Sequence, residues 1–272
     1  MIDTTLLKDL ESNVRSALKE DIGDGDISAS LIHPDERATA QVICRETAVI
    51  CGQPWVNEVF KQIDPSIEID WEVSEGNPCQ SNDLIFKAYG SAKNILSAER
   101  SALNFLQILS GTATIARHYA DLVQHTAVKI LDTRKTIPGL RLAQKYAVKQ
   151  GHCYNHRLGL YDAFLLKENH IYACGGISEA IDCARRSNPE KNVEIEVETL
   201  EQLEIALAAK ANIVMLDNFT LEDLTQAVAV TKSRALLEAS GGYDEANIVA
   251  VAETGVDYIS VGDITKHCRA ID

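Results

Sequence analysis

The rhythm of apolar and polar positions along the chain changes near residue 108. Before that point, Leu6, Leu7, Leu10, Val14 and Leu18 recur at helical spacing and predict an opening helix that stops in the acidic, glycine-rich EDIGDGDIS. ATAQVICRE alternates as a strand. PWVNEVFKQI sets Val56, Val59, Phe60 and Ile63 on one helix face, with Pro54 at a favourable start. IEIDWEV has the period of a half-exposed strand, and DLIFKAYG follows as another. A long helix beginning near Ser97 and running through AERSALNFLQILS closes an open α+β sandwich domain over residues 1–107.

Beyond residue 108, the strand candidates VKILDT, DAFLLK, VEIEVE, IVMLDN, ALLEAS and YISVG alternate with helix candidates. These are LRLAQKYAVK, ISEAIDCARR, TLEQLEIALAAK, TLEDLTQAVAVTK and DEANIVAVAE. Repeated β/α units imply a parallel sheet, and Thr199 with Gln202 forms a capping box at one helix start. Residues 108–272 are too few for a full eight-unit barrel, which takes about 250. The expectation is an incomplete α/β barrel of six or seven strands over 108–272, with the last few residues packing back on the N-terminal domain.

The strand ends carry the chemistry. They present Arg134 and Lys135, then Lys167, Glu196, Asp217, Ser240 with Gly241 and Gly242, and Gly262. In a parallel barrel such ends converge on one rim. Ser240-Gly241-Gly242, between a strand and a helix expected to start near Asp244, lets backbone amides approach an anion, and Gly262 offers a second approach. Glu196 and Asp217 suit Mg²⁺ or a ribose, or equally a salt bridge to nearby lysines. Arg134, His156, Arg157 and Lys167 suit a planar dicarboxylate, because guanidinium forks bind carboxylates bidentately. A lysine at a strand end could instead form a Schiff base. Arg141, Lys145 and Lys149, four residues apart, read as a solvated helix face, and Arg100 reads as a surface charge.

Composition narrows the function. The formal net charge is -14, yet residues 130–171 gather a dense set of cations, the pattern of a local anion site rather than a nucleic-acid surface. No run of about 18 apolar residues predicts a membrane span. The start MIDTTLLKDLESN lacks the basic and apolar regions of a secretory leader, so a cytoplasmic location is expected. Seven cysteines without a CxxC pair read as reduced thiols. Glu20, Asp21, Asp24 and Asp26 lack the terminal glutamate of a calcium loop and read as a structural turn. His152, Cys153, His156 and His170 match no standard zinc spacing.

SAERSALNFLQILSGTAT, LDTRKTIPGLR, NHRLGLYDAFLLKENHI, VEIEVETLEQL, MLDN, EASGG and SVGDITKH, in this order over nearly the whole chain, resemble the quinolinate phosphoribosyltransferase family. These are the carboxylating nicotinate-nucleotide pyrophosphorylases, pentosyltransferases of NAD biosynthesis. The resemblance implies that Arg134, His156, Arg157 and Lys167 surround the pyridine dicarboxylate. It also implies that Arg100 arrives from the neighbouring subunit of a homodimer, which could assemble further. Lys135, Glu196, Asp217, Ser240, Gly241 and Gly242, and the segment Val261, Gly262 and Asp263, match the phosphoribosyl pyrophosphate positions, with Glu196 and Asp217 as the magnesium carboxylates, and Thr133 and His267 are further implied substrate-binding residues. Lys135, Lys167, Glu196 and Asp217 are the implied catalytic set. Two positions depart from the pattern. Gly151-His152-Cys153 stands where a glycine triplet is common. Asp263 replaces a small apolar residue, and its carboxylate is expected to point away from a phosphate. A binding protein that keeps the fold without catalysis need not retain the whole cation set, which this chain does.

Overall fold

A computed structural model of the protein describes residues 4–272. The chain divides into two compact units, and neither is continuous in sequence. One comprises the described residues up to Arg117 with Thr136–His152 and Ile264–Asp272; the other comprises His118–Lys135 and Cys153–Asp263.

The first unit opens with helix α1, Thr4–Ile22, which buries Leu10, Val14 and Leu18 as their spacing predicts. Strand β1, Arg37–Ile43, pairs antiparallel with β5, Leu84–Ser91, and β3, Glu68–Trp71, pairs with the other edge of β5. A ribbon of β2, Ala48–Val49, and β4, Pro78–Cys79, is too short to announce itself in the sequence. Helix α2, Gln53–Ile63, buries Trp55, Val56, Val59 and Phe60. Phe86 of β5 meets Phe60 edge-on at 6.4 Å and Trp71 at 4.7 Å, so sheet and helix share one aromatic core. In the acidic loop, Asp26 accepts the Ala29 amide at 2.9 Å and the Ser97 hydroxyl at 2.8 Å, the structural-turn role expected of it.

Two expectations are corrected here. The long helix α3 spans Ala92–Leu122, starting five residues before Ser97, because β5 runs straight into it and the Ala92 amide is held by the Glu36 carbonyl at 2.9 Å. Residues 107 and 108 therefore lie within a helix. Gly111 is required in that helix: an added Cβ would lie 1.9 Å from the Arg269 carbonyl oxygen. The second correction concerns helix α4, Arg141–Gln150, which is not a solvated basic face. Lys145 is 1% exposed, and Ala143 and Ala147 join the core beside Leu10, Trp55 and Phe60. Packing on more than one side of α4, with Tyr146 against Trp55 at 5.4 Å, leaves only Lys149 of the three in solvent.

The second unit holds a parallel sheet of six strands: β6, Lys129–Leu131; β7, Phe164–Leu166; β8, Val193–Val197; β9, Ile213–Asp217; β10, Leu236–Ser240; and β11, Tyr258–Ser260. Their order is β6-β11-β10-β9-β8-β7, so the first strand lies beside the last and the sheet stays open between β6 and β7. Tyr154 adds one bridge to Leu131 at that edge. This is the incomplete barrel expected from the β/α rhythm. Its strands are rich in Val, Ile and Leu because both faces are covered. The helices between them are α5, Glu168–Cys174; α6, Ile177–Ser187; α7, Leu200–Ala208; α8, Leu221–Thr231; and α9, Ile248–Ala252, with α10, Asp263–Lys266, after β11. Thr199 caps α7 by accepting the Gln202 amide at 3.2 Å, while the Gln202 side chain accepts the Glu198 amide rather than that of Thr199.

Candidate active site

The carboxyl ends of the six strands carry the polar residues. Thr133, Arg134 and Lys135 follow β6, Lys167 follows β7, Glu196 is the fourth residue of β8, Asp217 and Ser240 end β9 and β10, and Val261 and Gly262 follow β11. Leu166 registers with Ile195, Asp217 with Ser240, and Ser260 with Leu131, so neighbouring strands end near one level. Arg134, Lys135, His156, Arg157 and Lys167 line one cavity of about 380 Å³ together with Ser240. Gly262 lets this rim close up: an added Cβ would sit 3.2 Å from the Lys135 side chain and 3.8 Å from the Thr133 hydroxyl. Burial, reinforced by the neighbouring Arg134 charge, lowers the pKa of Arg157. Such mutual repulsion is relieved when an anion enters.

Below the cations lies a buried trio. The His156 Nε2 stands 3.1 Å from a Glu194 oxygen and 3.3 Å from a Glu238 oxygen, and the three side chains are 10%, 6% and 1% exposed. Burial pushes the ring's pKa down, but its hydrogen bonds to both carboxylates outweigh burial and raise it to about 10. Burial raises Glu194 to about 7. Nδ1 accepts the Arg157 amide at 2.8 Å, so the neutral ring carries its proton on Nε2. A further proton would have to displace that bond or sit on a carboxylate, and the protons belong to the trio as a whole. The ligand atoms lie within 4.8 Å of one another, a spacing that a metal ion could also bridge.

At the rim, Lys167 donates to Glu196, and Asp217 accepts the Asn218 side-chain amide at 2.8 Å. An oxygen-only pair on adjacent strands suits Mg²⁺, which is commonly held by one or two carboxylates plus substrate phosphates.

Family models match the chain on both sides of Gly111. The quinolinate phosphoribosyl transferase N-terminal domain matches residues 26–110 and the C-terminal domain residues 112–272. The chain belongs to the quinolinate phosphoribosyl transferase family. A carboxylating nicotinate-nucleotide pyrophosphorylase of Mycobacterium leprae is 39% identical over 269 residues, covering 95% of this chain and 94% of that protein. A solved nicotinate-nucleotide pyrophosphorylase from Francisella tularensis is 50% identical, with a TM-score of 0.95 over 98% of this chain and 95% of its own. One from Ehrlichia chaffeensis has a TM-score of 0.90 at 36% identity, covering 95% of each.

In this quinolinate phosphoribosyl transferase family chain, two of the expected site residues fall outside the unit that holds the parallel sheet. Arg100 and His267 belong to the first compact unit, and both are exposed. Arg100 lines a separate cavity of about 370 Å³ with Arg45 and Asp272. Asp263 opens α10 as its first residue. The helix expected near Asp244 begins at Ile248 instead. Asp244 accepts the Ala246 amide and Asn247 accepts the Asp244 amide, both at 2.9 Å, so a side-chain-bonded turn replaces the first helical turn after Gly242. His152 pairs with Arg117 at 2.9 Å, and His170 accepts the Lys167 amide at 3.0 Å. His152 has φ 67°, a left-handed backbone that glycine adopts most readily.

Sequence reasoning missed Asp132, Glu194 and Glu238. Asp132 is fully buried and accepts the His156 amide at 2.9 Å and the Asn155 side-chain amide at 2.7 Å, which fixes the Asn-His-Arg segment. The available signal was an acidic residue at an inner position of an otherwise apolar parallel strand, or directly after one, where burial without a partner is expensive.

Proposed function

We propose that this protein transfers the phosphoribosyl group of phosphoribosyl pyrophosphate to quinolinate with decarboxylation, giving nicotinate mononucleotide, CO₂ and pyrophosphate. The gathering of Arg134, His156, Arg157 and Lys167 around one cavity carries this reading, because a pyridine dicarboxylate is the ligand class that needs such a set. Lys135, Ser240 and Gly262 at the neighbouring strand ends suit the phosphates, and Thr133 lies against the same glycine. Family membership supports the assignment, since its members include proteins named quinolinate phosphoribosyltransferase.

The cationic wall orients the dicarboxylate so that its ring nitrogen faces the anomeric carbon of the ribose. The nitrogen forms the new bond as pyrophosphate leaves with the electrons of the old one. Positive charge develops on the ribose, and Glu196 and Asp217 stabilise it from fixed strand ends. Once the nitrogen is quaternary, the adjacent carboxylate departs as CO₂, and the remaining carbanion is stabilised by that positive charge until it takes a proton. Glu196 and Asp217 would also hold Mg²⁺, which when bound neutralises diphosphate charge. A homodimer in which Arg100 completes the partner's dicarboxylate pocket, and a cytoplasmic location, belong to the same proposal. No helix among the described residues is long and apolar enough to cross a membrane.

Incubating the pure protein with carboxyl-labelled quinolinate, phosphoribosyl pyrophosphate and Mg²⁺ tests this: labelled CO₂ and nicotinate mononucleotide should appear together. Borohydride trapping of substrate on Lys135 or Lys167, without those products, would replace the reading with Schiff-base chemistry.

A further inference from the structure

The mechanism above uses neither Glu194 nor Glu238, yet Glu238 lines the cavity and Glu194 reaches it through the His156 ring. Each sits in the middle of a parallel strand, Glu194 in register with Leu165 and Ile213, Glu238 with Met215 and Tyr258. Their backbones are therefore fixed on both sides. Glu238 lines the same cavity as the five basic residues although its side chain is 1% exposed. Each carboxylate gives one oxygen to the His156 ring and leaves the other buried without a hydrogen-bond partner among the described residues. Burying acceptors in this way weakens a fold, so their retention calls for a role other than stability.

The opposite edge of the ring is tied as well, since Nδ1 accepts the Arg157 amide. A ring with acceptors at Nε2 and a donor at Nδ1 fits in one orientation and one neutral tautomer. The chain of contacts then continues: the Arg157 guanidinium donates to the Ala163 carbonyl at 3.2 Å. Loss of the carboxylates would loosen both His156 and Arg157, whereas Lys135 follows β6 and Gly262 follows β11, and neither depends on the ring. We propose that Glu194 and Glu238 are positioning residues for the dicarboxylate, fixing the His156 ring and, through it, Arg157. This rests on reading the cavity as the quinolinate site.

The test uses Glu194→Met and Glu238→Met, which remove the acceptor at similar length, and Glu238→Gln, which keeps an acceptor. In the wild type, nitrogen NMR of the His156 ring should show the proton on Nε2, and the Glu194→Met/Glu238→Met double variant should lose that signature. KM for quinolinate should rise at least about tenfold in the Met variants, with KM for phosphoribosyl pyrophosphate within about twofold and the Gln variant in between. Equal changes in both KM values, or no change, would mark the carboxylates as merely structural and overturn the proposal. So would a wild-type ring protonated only on Nδ1, or one equivalent of tightly held metal in the purified protein. Should the Met variants not fold, the wild-type ring and Glu238→Gln decide. A wild type that makes no nicotinate mononucleotide sinks the functional reading, whereas the ring signature still judges the positioning of His156.

Discussion

Lys167 and Glu196 form an ion pair across the step from β7 to β8, the lysine Nζ donating to a glutamate oxygen. The lysine side chain is 48% exposed and the glutamate 16%, so the pair sits at the rim in contact with solvent. In the proposed reaction the two partners serve different substrates, the dicarboxylate and the ribose. Quinolinate must therefore compete with Glu196 for Lys167. An exposed pair of this kind contributes at most about 1 kcal/mol to stability. Lys167→Ala should leave thermal unfolding nearly unchanged.

The same variant, and Arg157→Ala, should weaken quinolinate binding at least tenfold, about 1.4 kcal/mol, in calorimetric titrations. Unchanged affinity in both would remove these residues from the dicarboxylate pocket.

Replacing Glu196 and Asp217 by their amides should depress kcat more than quinolinate affinity, because their main interaction is with charge that develops in the transition state. Chelation of Mg²⁺ should abolish turnover in the wild type, and added Mg²⁺ should restore it. A double variant with wild-type kcat would end this assignment.

Active sites shared between subunits predict complementation. Arg100→Ala and Lys167→Ala homodimers should each be nearly inactive. Subunit exchange should then build heterodimers with one intact site, and activity should recover towards about one quarter of wild type. Verified exchange without recovered activity would confine Arg100 to its own chain.

The His156 ring offers a pH test. Despite burial, hydrogen bonds to Glu194 and Glu238 raise its folded pKa from 6.5 to about 10, and the trio shares the proton so held, so the stabilising contribution is fully present below pH 6.5 and is lost as pH rises through about 10. Between these limits the Tm of the wild type should fall more steeply than that of His156→Gln. Parallel slopes would mean that the ring titrates alike in the folded and unfolded chain.

Thr199→Ala removes the acceptor for the Gln202 amide at the start of α7. Denaturant unfolding should show a loss of about 1 kcal/mol, the usual effect of deleting an N-cap. The activity should be unaffected, because this cap lies outside the cavity lining.

Periodicity alone determined the six parallel strands and the rim on which their ends meet, because a run of apolar residues ending in a charge carries its strand boundary within a few neighbouring positions. Arg134, Lys135, Lys167, Asp217 and Ser240 were legible for that reason. Lys145 was not, since four-residue spacing states that a helix has a basic stripe but not what packs over it. Only the tertiary structure buries that lysine beside Ala143 and Ala147. Glu194 and Glu238 stand 44 residues apart in sequence, and Glu194 is 38 residues beyond His156. Nothing local links them. Their meeting depends on strand order and register, and on burial that makes a shared hydrogen bond the way to keep two carboxylates away from water. Arg100 shows the same limit from the other side: its neighbours on α3 define an exposed charge, and whether a second chain covers it is decided by an interface that one chain's periodicity does not encode.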